Sequence, residues 1–287
     1  MKLITWNVQW CCGVDGKVDP ARIVTEAKLQ ADFDVLCLQE IADNYPDPRL
    51  AGSAGEDQFA LLSTLLPGYV GIPGVAVDHP GENGRGRRRR FGNMIFSRLP
   101  VQQVFRYMLP YPVDQDFLGM PRMALEAVVT APFGDVRVIT THIEYYSVMK
   151  RTAQLDALRG IYAQGHGYSG GLRVAGTDGG PFQTYPRPAA TIITGDFNMD
   201  PADPGHAQML QPFADGTPAL TDAWQHAHPG IPHAPTMCLY RKIDPTAPGY
   251  CCDFIFVSED LKPRVRDVSV DMQLQASDHQ PVLLTLD

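Results

Sequence analysis

The sequence predicts an α/β protein built on two sheets packed face to face, with helices outside them. Three observations carry that prediction. Short runs rich in Val, Ile, Thr and Phe recur from end to end of the 287 residues. Helical patterns are fewer and fall between some of these runs but not all, which disfavours a regular βαβ array. Apolar residues make up 44% of the chain and charged residues 20%, enough to build a core without disulfide or metal staples.

The elements follow in order. Residues 2–8 alternate and open the chain as a strand. Pro20–Gln30 reads as a helix: Ile23, Ala27 and Gln30 recur at helical spacing, Asp19 supplies a cap and Pro20 takes the first position. Residues 34–40 are an apolar strand ending in an acid, 58–66 a second helix, and 73–90 a loop. Strands at 93–97, 123–130 and 136–142 precede a helix over 147–163 and a Gly-rich loop over 164–188. Strands at 190–197, 252–257, 265–270 and 281–286 complete the set. There is no internal repeat, and neither long loop has the composition of a linker, so residues 1–287 read as one domain.

Charge narrows the function. Twenty-four Lys and Arg face 32 Asp and Glu, a formal charge of −8, which weighs against a protein that grips duplex nucleic acid non-specifically. Arg85, Arg87, Arg88, Arg89 and Arg90 oppose that balance locally. They read either as a solvated loop or as a grip for a polyanionic substrate or an anionic lipid surface. No apolar run approaches the ~18 residues of a membrane-spanning helix. Cys11, Cys12, Cys37, Cys238, Cys251 and Cys252 contain no C-x-x-C pair, the first residues lack a secretory pattern, and there is no Asn-x-Ser/Thr sequon. Reduced thiols and a cytoplasmic setting are the expectation.

The informative feature is where the polar residues fall. Asn7 interrupts the first strand and Glu40 ends the second. His142 ends the run Val-Arg-Val-Ile-Thr-Thr, and Asp196 and Asn198 follow Thr-Ile-Ile-Thr-Gly. Asp253 begins Phe-Ile-Phe-Val, and Asp278 and His279 precede the last strand. One such residue at one strand end is a turn residue or a satisfied buried group as readily as a site. Six strands each delivering one points to a shared cleft. Four carboxylates there repel one another unless a cation, imidazoles and amides compensate them, and oxygen-rich donors suit a hard cation such as Mg²⁺. Such a constellation suits phosphoester hydrolysis.

The chain resembles the endonuclease/exonuclease/phosphatase superfamily over nearly its full length. The carrying segments are Thr-Trp-Asn-Val (5–8), Leu-Gln-Glu (38–40), Gly-Asn-Met-Ile-Phe-Ser (92–97), Thr-His (141–142), Gly-Asp-Phe-Asn (195–198), Asp-Phe-Ile-Phe (253–256) and Ser-Asp-His-Gln-Pro (277–281). The resemblance implies a four-layer α/β sandwich with two packed mixed β-sheets flanked by helices. It implies Glu40 as the main divalent-metal ligand, with Asn7 and Asp278 beside it, and Mg²⁺, or Mn²⁺ in its place, as cofactor. It makes Asp196 the group that orients or deprotonates the attacking water, and Asn198 a donor to a phosphoryl oxygen. Asp253 fixes the tautomer of His279, and members differ on whether the Asp or the His–Asp pair is the base. His142 aligns the chain with the deoxyribonuclease I-like and sphingomyelinase-like branch, as a phosphate ligand or leaving-group acid. Asn93, on a strand whose start the family brings near the cleft, and Arg122 are the substrate-binding candidates.

The expected activity is metal-dependent hydrolysis of a phosphodiester or phosphomonoester, with a small or lipid-like substrate. A nuclease is the second reading and a silent binding module of the same fold the third. Other motifs are decoys. Gly167 to Gly171 fits G-x-S-x-G, but a helix precedes it where a nucleophile elbow needs a strand. His226, His228 and His233 lack partner cysteines and read as a solvated loop before a zinc site. The loops at 45–56, 73–90, 105–121 and 164–188 are expected to ring the cleft. The helix over 147–163 reads as an amphipathic cover for a sheet, and nothing in its spacing requires Arg151 to support the cleft from behind.

Overall fold

The computed structural model describes residues 1–84, 86–171, 174, 176–240 and 248–287. The first sheet takes β1 (Lys2–Asn7), β2 (Val35–Asp43), β3 (Val70–His79), β4 (Arg89–Ser97), β11 (Val265–Val270) and β12 (Val282–Leu286). Their spatial order is β11-β12-β1-β2-β4-β3. The second takes β5 (Val101–Met108), β6 (Met123–Ala131), β7 (Gly134–His142), β8 (Thr191–Asp196), β9 (Thr221–Asp222) and β10 (Asp253–Val257), in the order β5-β6-β7-β8-β10-β9. The pairs β1–β2 and β7–β8 are parallel and the other neighbours antiparallel, so both sheets are mixed.

Three apolar clusters fill the spaces between four layers. Leu3, Cys37 and Ile95 of the first sheet meet Leu125, Ala127, Val138 and Ile255 of the second. The opposite faces are covered as well. Ile4, Trp6, Leu36 and Phe96 pack under α1 (Pro20–Gln30) and α2 (Gln58–Leu65). Ile139, Ile193, Phe254 and Phe256 pack under α3 (Val148–Tyr168) and α4 (Pro204–Leu210). Burial on both faces explains why the central strands read as continuous apolar runs with little alternation. Each buried side chain of this size contributes about 1.5–3 kcal/mol. Gln39 ties the sheets together: its amide donates to Thr5 Oγ1 at 3.2 Å and across to Thr140 Oγ1 at 2.9 Å.

The predicted architecture stands, and α1 has the predicted bounds, with Asp19 accepting from the amides of Ala21 and Arg22. The segment 73–90 differs from expectation. Residues 70–79 are β3, an edge strand paired with β4. Gly71, Pro73 and Gly74 hide it in the sequence, yet an edge tolerates a proline because one side of the strand needs no ladder donor. Likewise 101–108 forms β5 at the other sheet's edge, where 105–121 was expected to be loop throughout. All six cysteines are buried. No helix among the described residues is long and apolar enough to cross a membrane.

Candidate active site

Sheet register assembles one row. In the parallel pair β7–β8, His142 lies opposite Asp196, and across β8–β10 Asp196 lies opposite Asp253. Gly195 makes this close approach possible: its φ is +136°, and a Cβ there would stand 1.9 Å from the Thr141 carbonyl oxygen. The first sheet brings Asn7 from the end of β1 and Glu40 from β2. The β2–β4 register slips between Leu38 and Ile41, and Glu40 sits in that bulge with φ +63°. A non-glycine residue in this region costs on the order of 1–3 kcal/mol and is held there by its surroundings. The bulge turns one acid of an otherwise buried strand toward the cleft. Asn198, at φ +47°, turns the chain after β8 in the same way, which asparagine tolerates.

Hydrogen bonds bind the two halves. Asn7 Nδ2 donates to Glu40 Oε1 at 3.1 Å and to Asp196 Oδ2 at 2.9 Å, while its Oδ1 accepts from the Gln9 amide. His279 Nδ1 lies 2.9 Å from Asp253 Oδ2, which also accepts from Thr236 Oγ1 at 2.6 Å. The other ring nitrogen of His279 stands 3.7 Å from Asp196 Oδ2, and His142 Nε2 stands 3.5 Å from the same oxygen. Gln9 Nε2 donates to Asp278 Oδ2 at 2.5 Å.

The electrostatics are lopsided. Burial and then the neighbouring Asp278 raise Glu40 to about 7. Burial raises Asp196 to about 6, against the pull of His279 and with a push from Asp253. Burial opposes the charged form of His279 too, but Asp253 and Asp196 outweigh it and hold the imidazolium well above its ordinary value. Burial, Arg122 and His279 push His142 well below its ordinary value, so it stays neutral. Two imidazoles beside one carboxylate thus carry opposite protonation states, which separates acid from acceptor.

Glu40, His142, Asp196 and His279 line one cleft of about 480 Å³ together with Arg122, Asn198 and Asp278. A model of the endonuclease/exonuclease/phosphatase family matches residues 4–279. The chain belongs to this family.

Solved members share its fold. An endonuclease/exonuclease/phosphatase from Beutenbergia cavernae superposes at TM-score 0.68 and 24% identity, covering all of this chain and 71% of that one. A Bacteroides thetaiotaomicron mannosyl-6-phosphatase superposes at 0.64 and 17%, covering all of this chain and 99% of that one. D. rerio TDP2 complexed with a single strand DNA product gives 0.64 and 17%, with 98% of that chain covered. Among curated proteins, none shows significant sequence similarity to the chain.

Nine of the ten residues singled out in the sequence stand in the cleft wall or bond directly to it. Glu40, Arg122, His142, Asp196, Asn198, Asp278 and His279 line it, and Asn7 bridges two of its acids. Asp253 lies behind His279, 3% exposed. Asn93 is 2% exposed and absent from the wall, its amide 3.5 Å from the Met123 carbonyl that it donates to. Pairing in β4 turns it into the sheet interior.

Several wall residues carried no sequence signal. Leu118, Gly119 and Met120 come from the loop after β5, Glu144, Tyr145 and Tyr146 from the loop after β7, and Met237 and Tyr250 from a β-bridge near Asp253. Only chain folding brings these together, although Glu144 to Tyr146 directly follow the Thr-His motif. Of the four loops expected at the rim, 105–121 alone supplies wall residues among those described. Arg151 does support the cleft from behind: it donates to the carbonyls of Tyr145 and Glu144 and pairs with Asp203.

The remaining motifs resolve locally. Arg87 and Arg90 both clamp the buried Asp43, Arg90 also reaches Asp57 at 2.9 Å, and Arg88 pairs with Asp78. Three cations of the run are therefore tied down by acids, Arg89 has no acidic partner among the described residues, and Arg85 lies outside them. Gly167 and Tyr168 are the end of α3, so the G-x-S-x-G match has a helix before it. His233 is not in a solvated loop. It is nearly buried and shares Asp222 Oδ2 with His206, at 2.8 and 2.7 Å, while His228 bonds to the Val268 carbonyl.

Proposed function

We propose that this protein is a divalent-metal-dependent phosphoesterase that hydrolyses its substrate by attack of an activated water. The observation that carries the reading is Arg122. The residue is 6% exposed and lines the acidic cleft, and its guanidinium leaves Nε and Nη1 without a protein partner. Burial lowers its pKa, with Glu144, Asp196 and Glu40 opposing. A buried cation with unused donors in an acidic cleft is a phosphate seat.

The donor set fits a hard cation. Glu40 and Asp278 are oxygen donors at one end of the cleft, and Glu40, raised to about 7, is held against its own charge by burial and by Asp278. A dication relieves that conflict. We assign its binding to Glu40 and Asp278, with Asn7 holding Glu40 in place. Mg²⁺ bound there, or Mn²⁺, would supply charge neutralisation at the phosphoryl group, worth several kcal/mol in such sites.

The chain's own residues supply the rest. Asp196, near 6, is poised to take the proton of the attacking water at neutral pH. Asp253 and Thr236 lock His279 with one ring nitrogen behind it, so the other donates to a phosphoryl oxygen as an imidazolium. Neutral His142 and Asn198 complete the donors around that group, Asn198 being anchored through Nδ2 to the Ile143 carbonyl at 2.9 Å. A small phosphoester is favoured over nucleic acid, because the charge is −8 and Arg87, Arg88 and Arg90 are engaged by acids. The mannosyl-6-phosphatase among the similar structures fits that preference, and the DNA-bound one keeps a nuclease in the test.

The test is hydrolysis of phosphomonoesters, phosphodiesters, plasmid DNA and RNA with Mg²⁺, Mn²⁺ or EDTA. Turnover of a small ester that EDTA abolishes and Mg²⁺ or Mn²⁺ restores is the expected result. Turnover indifferent to EDTA removes the metal, and faster cleavage of plasmid than of any small ester removes the substrate class.

A further inference from the structure

Beside the phosphate seat, the same cleft holds a second set of polar groups that the reaction above does not use. Glu144 is fully buried. Its Oε1 accepts from the Tyr146 amide at 3.0 Å, and its backbone amide donates to Gln154 Oε1 at 2.8 Å. Its Oε2 has no protein partner. Gln154 is itself fixed through the Pro110 carbonyl, and Arg151 holds the Glu144 and Tyr145 carbonyls. The carboxylate is therefore rigid, buried and half-used.

Two further groups converge on it. Lys150 is buried, forms no ion pair among the described residues, and places its ammonium over the Tyr111 ring at 4.6 Å. A Cβ at Gly119 would lie 2.8 Å from Glu144 Oε2, 3.0 Å from Lys150 Nζ and 3.3 Å from Tyr111 Oη. Those distances are too short for a side chain at 119, so glycine lets the loop backbone close against a cradle where an acceptor, a cation and a hydroxyl meet. Tyr145 and Tyr146 stand at its mouth edge to face, ring centres 4.9 Å apart, each about half exposed.

We propose that this cradle reads a pair of hydroxyls on the organic part of the substrate, which makes the substrate a phosphorylated sugar or polyol. The inference rests on the phosphoesterase reading and deepens it. Chemistry excludes the charged alternatives. A cationic headgroup meets Lys150 and Arg122, and a second phosphate meets Glu144. A neutral diol satisfies all three groups: one hydroxyl donates to Glu144 Oε2, its neighbour accepts from Lys150, and the Tyr111 hydroxyl serves either. The carbon face of such a ring suits the tyrosine rims. Buried polar groups that lose their partner penalise an analogue lacking the hydroxyl, which is how a site discriminates strongly.

The experiment compares kcat/KM for two sets of phosphoesters, one bearing hydroxyls (hexose 6-phosphates, glycerol 3-phosphate) and one lacking them (phenyl and butyl phosphate). Wild type should favour the first set, and Glu144→Gln should collapse that preference by roughly 10–100-fold, mainly through KM. Gly119→Ala, which crowds the cradle without removing a charge, should do the same. Circular dichroism and melting temperature confirm that both variants fold. A wild type that turns over phenyl phosphate as well as the hexose esters overturns the inference and leaves the phosphoesterase reading standing. So does a Glu144→Gln preference ratio equal to that of wild type. No turnover of either set with Mg²⁺ or Mn²⁺ overturns both.

Discussion

Two imidazole–carboxylate clusters flank strand β10, and they are built to opposite ends. On one side Asp222 accepts from His206, His233 and the Gln225 amide, at 2.7, 2.8 and 3.1 Å. Burial works against its charge, yet the two imidazoles outweigh burial and hold it at about 2. On the other side Asp196 accepts from the Asn7 amide and the Asn198 backbone, but its two histidines stand off at 3.5 and 3.7 Å and it sits at about 6. The first carboxylate is satisfied by the fold. The second is desolvated and left short of partners, which destabilises the fold and leaves the group free to act on a substrate.

That contrast is breakable by measurement. The largest effect is expected at Asp196. Asp196→Asn should lower kcat by roughly 10³-fold or more, within what positioned acid–base groups contribute with their neighbours. Its melting temperature at neutral pH should be equal to or above that of wild type, because a carboxylate raised to about 6 is charged at a cost in the folded state. A variant that unfolds instead would make Asp196 a structural residue.

The next effect belongs to the metal. Saturating Mg²⁺ or Mn²⁺ should raise thermal stability, by about 2.7 kcal/mol at a hundred times Kd. Glu40→Gln should abolish that rise while folding normally. A rise that survives the substitution places the cation elsewhere, and the cluster of His206, Asp222 and His233 becomes the place to look.

The smallest effect is expected at Asp222. Asp222→Asn should cost on the order of 2 kcal/mol in stability, from a pKa lowered from 3.8 to about 2, and leave kcat within a factor of two. The sign follows from the direction of the shift. Because the folded carboxylate is held below its ordinary value, its contribution is complete above pH 4 and is lost as pH falls through 2. Acid melts of wild type and Asp222→Asn should therefore converge across that window. Curves that stay parallel would show that the histidines do not stabilise this anion.

How much of this was legible differs by kind of information. The strands that deliver the site were legible because they are buried on both faces, and burial writes itself as unbroken Val, Ile and Phe. The edge strands β3 and β5 were not, because one of their sides needs no partner, so Pro73 and Gly74 are tolerated and erase the pattern. The acids and imidazoles stood out because each stands at the start or the end of an apolar run. Asp222 and His206 did not, since a satisfied polar pair in a core looks in sequence like any two polar residues.

The sequence by itself determined the layer architecture, the reactive residue types and the helix cap at Asp19, all of which depend on neighbours within a few positions. Only tertiary structure decided which of those residues are starved of partners. Register sets His142, Asp196 and Asp253 in one row, a bulge turns Glu40 outward, and two loops far apart in the chain bring Gly119 against Glu144. Desolvation and partner distance are properties of that assembled space, and they alone separate Asp196 from Asp222.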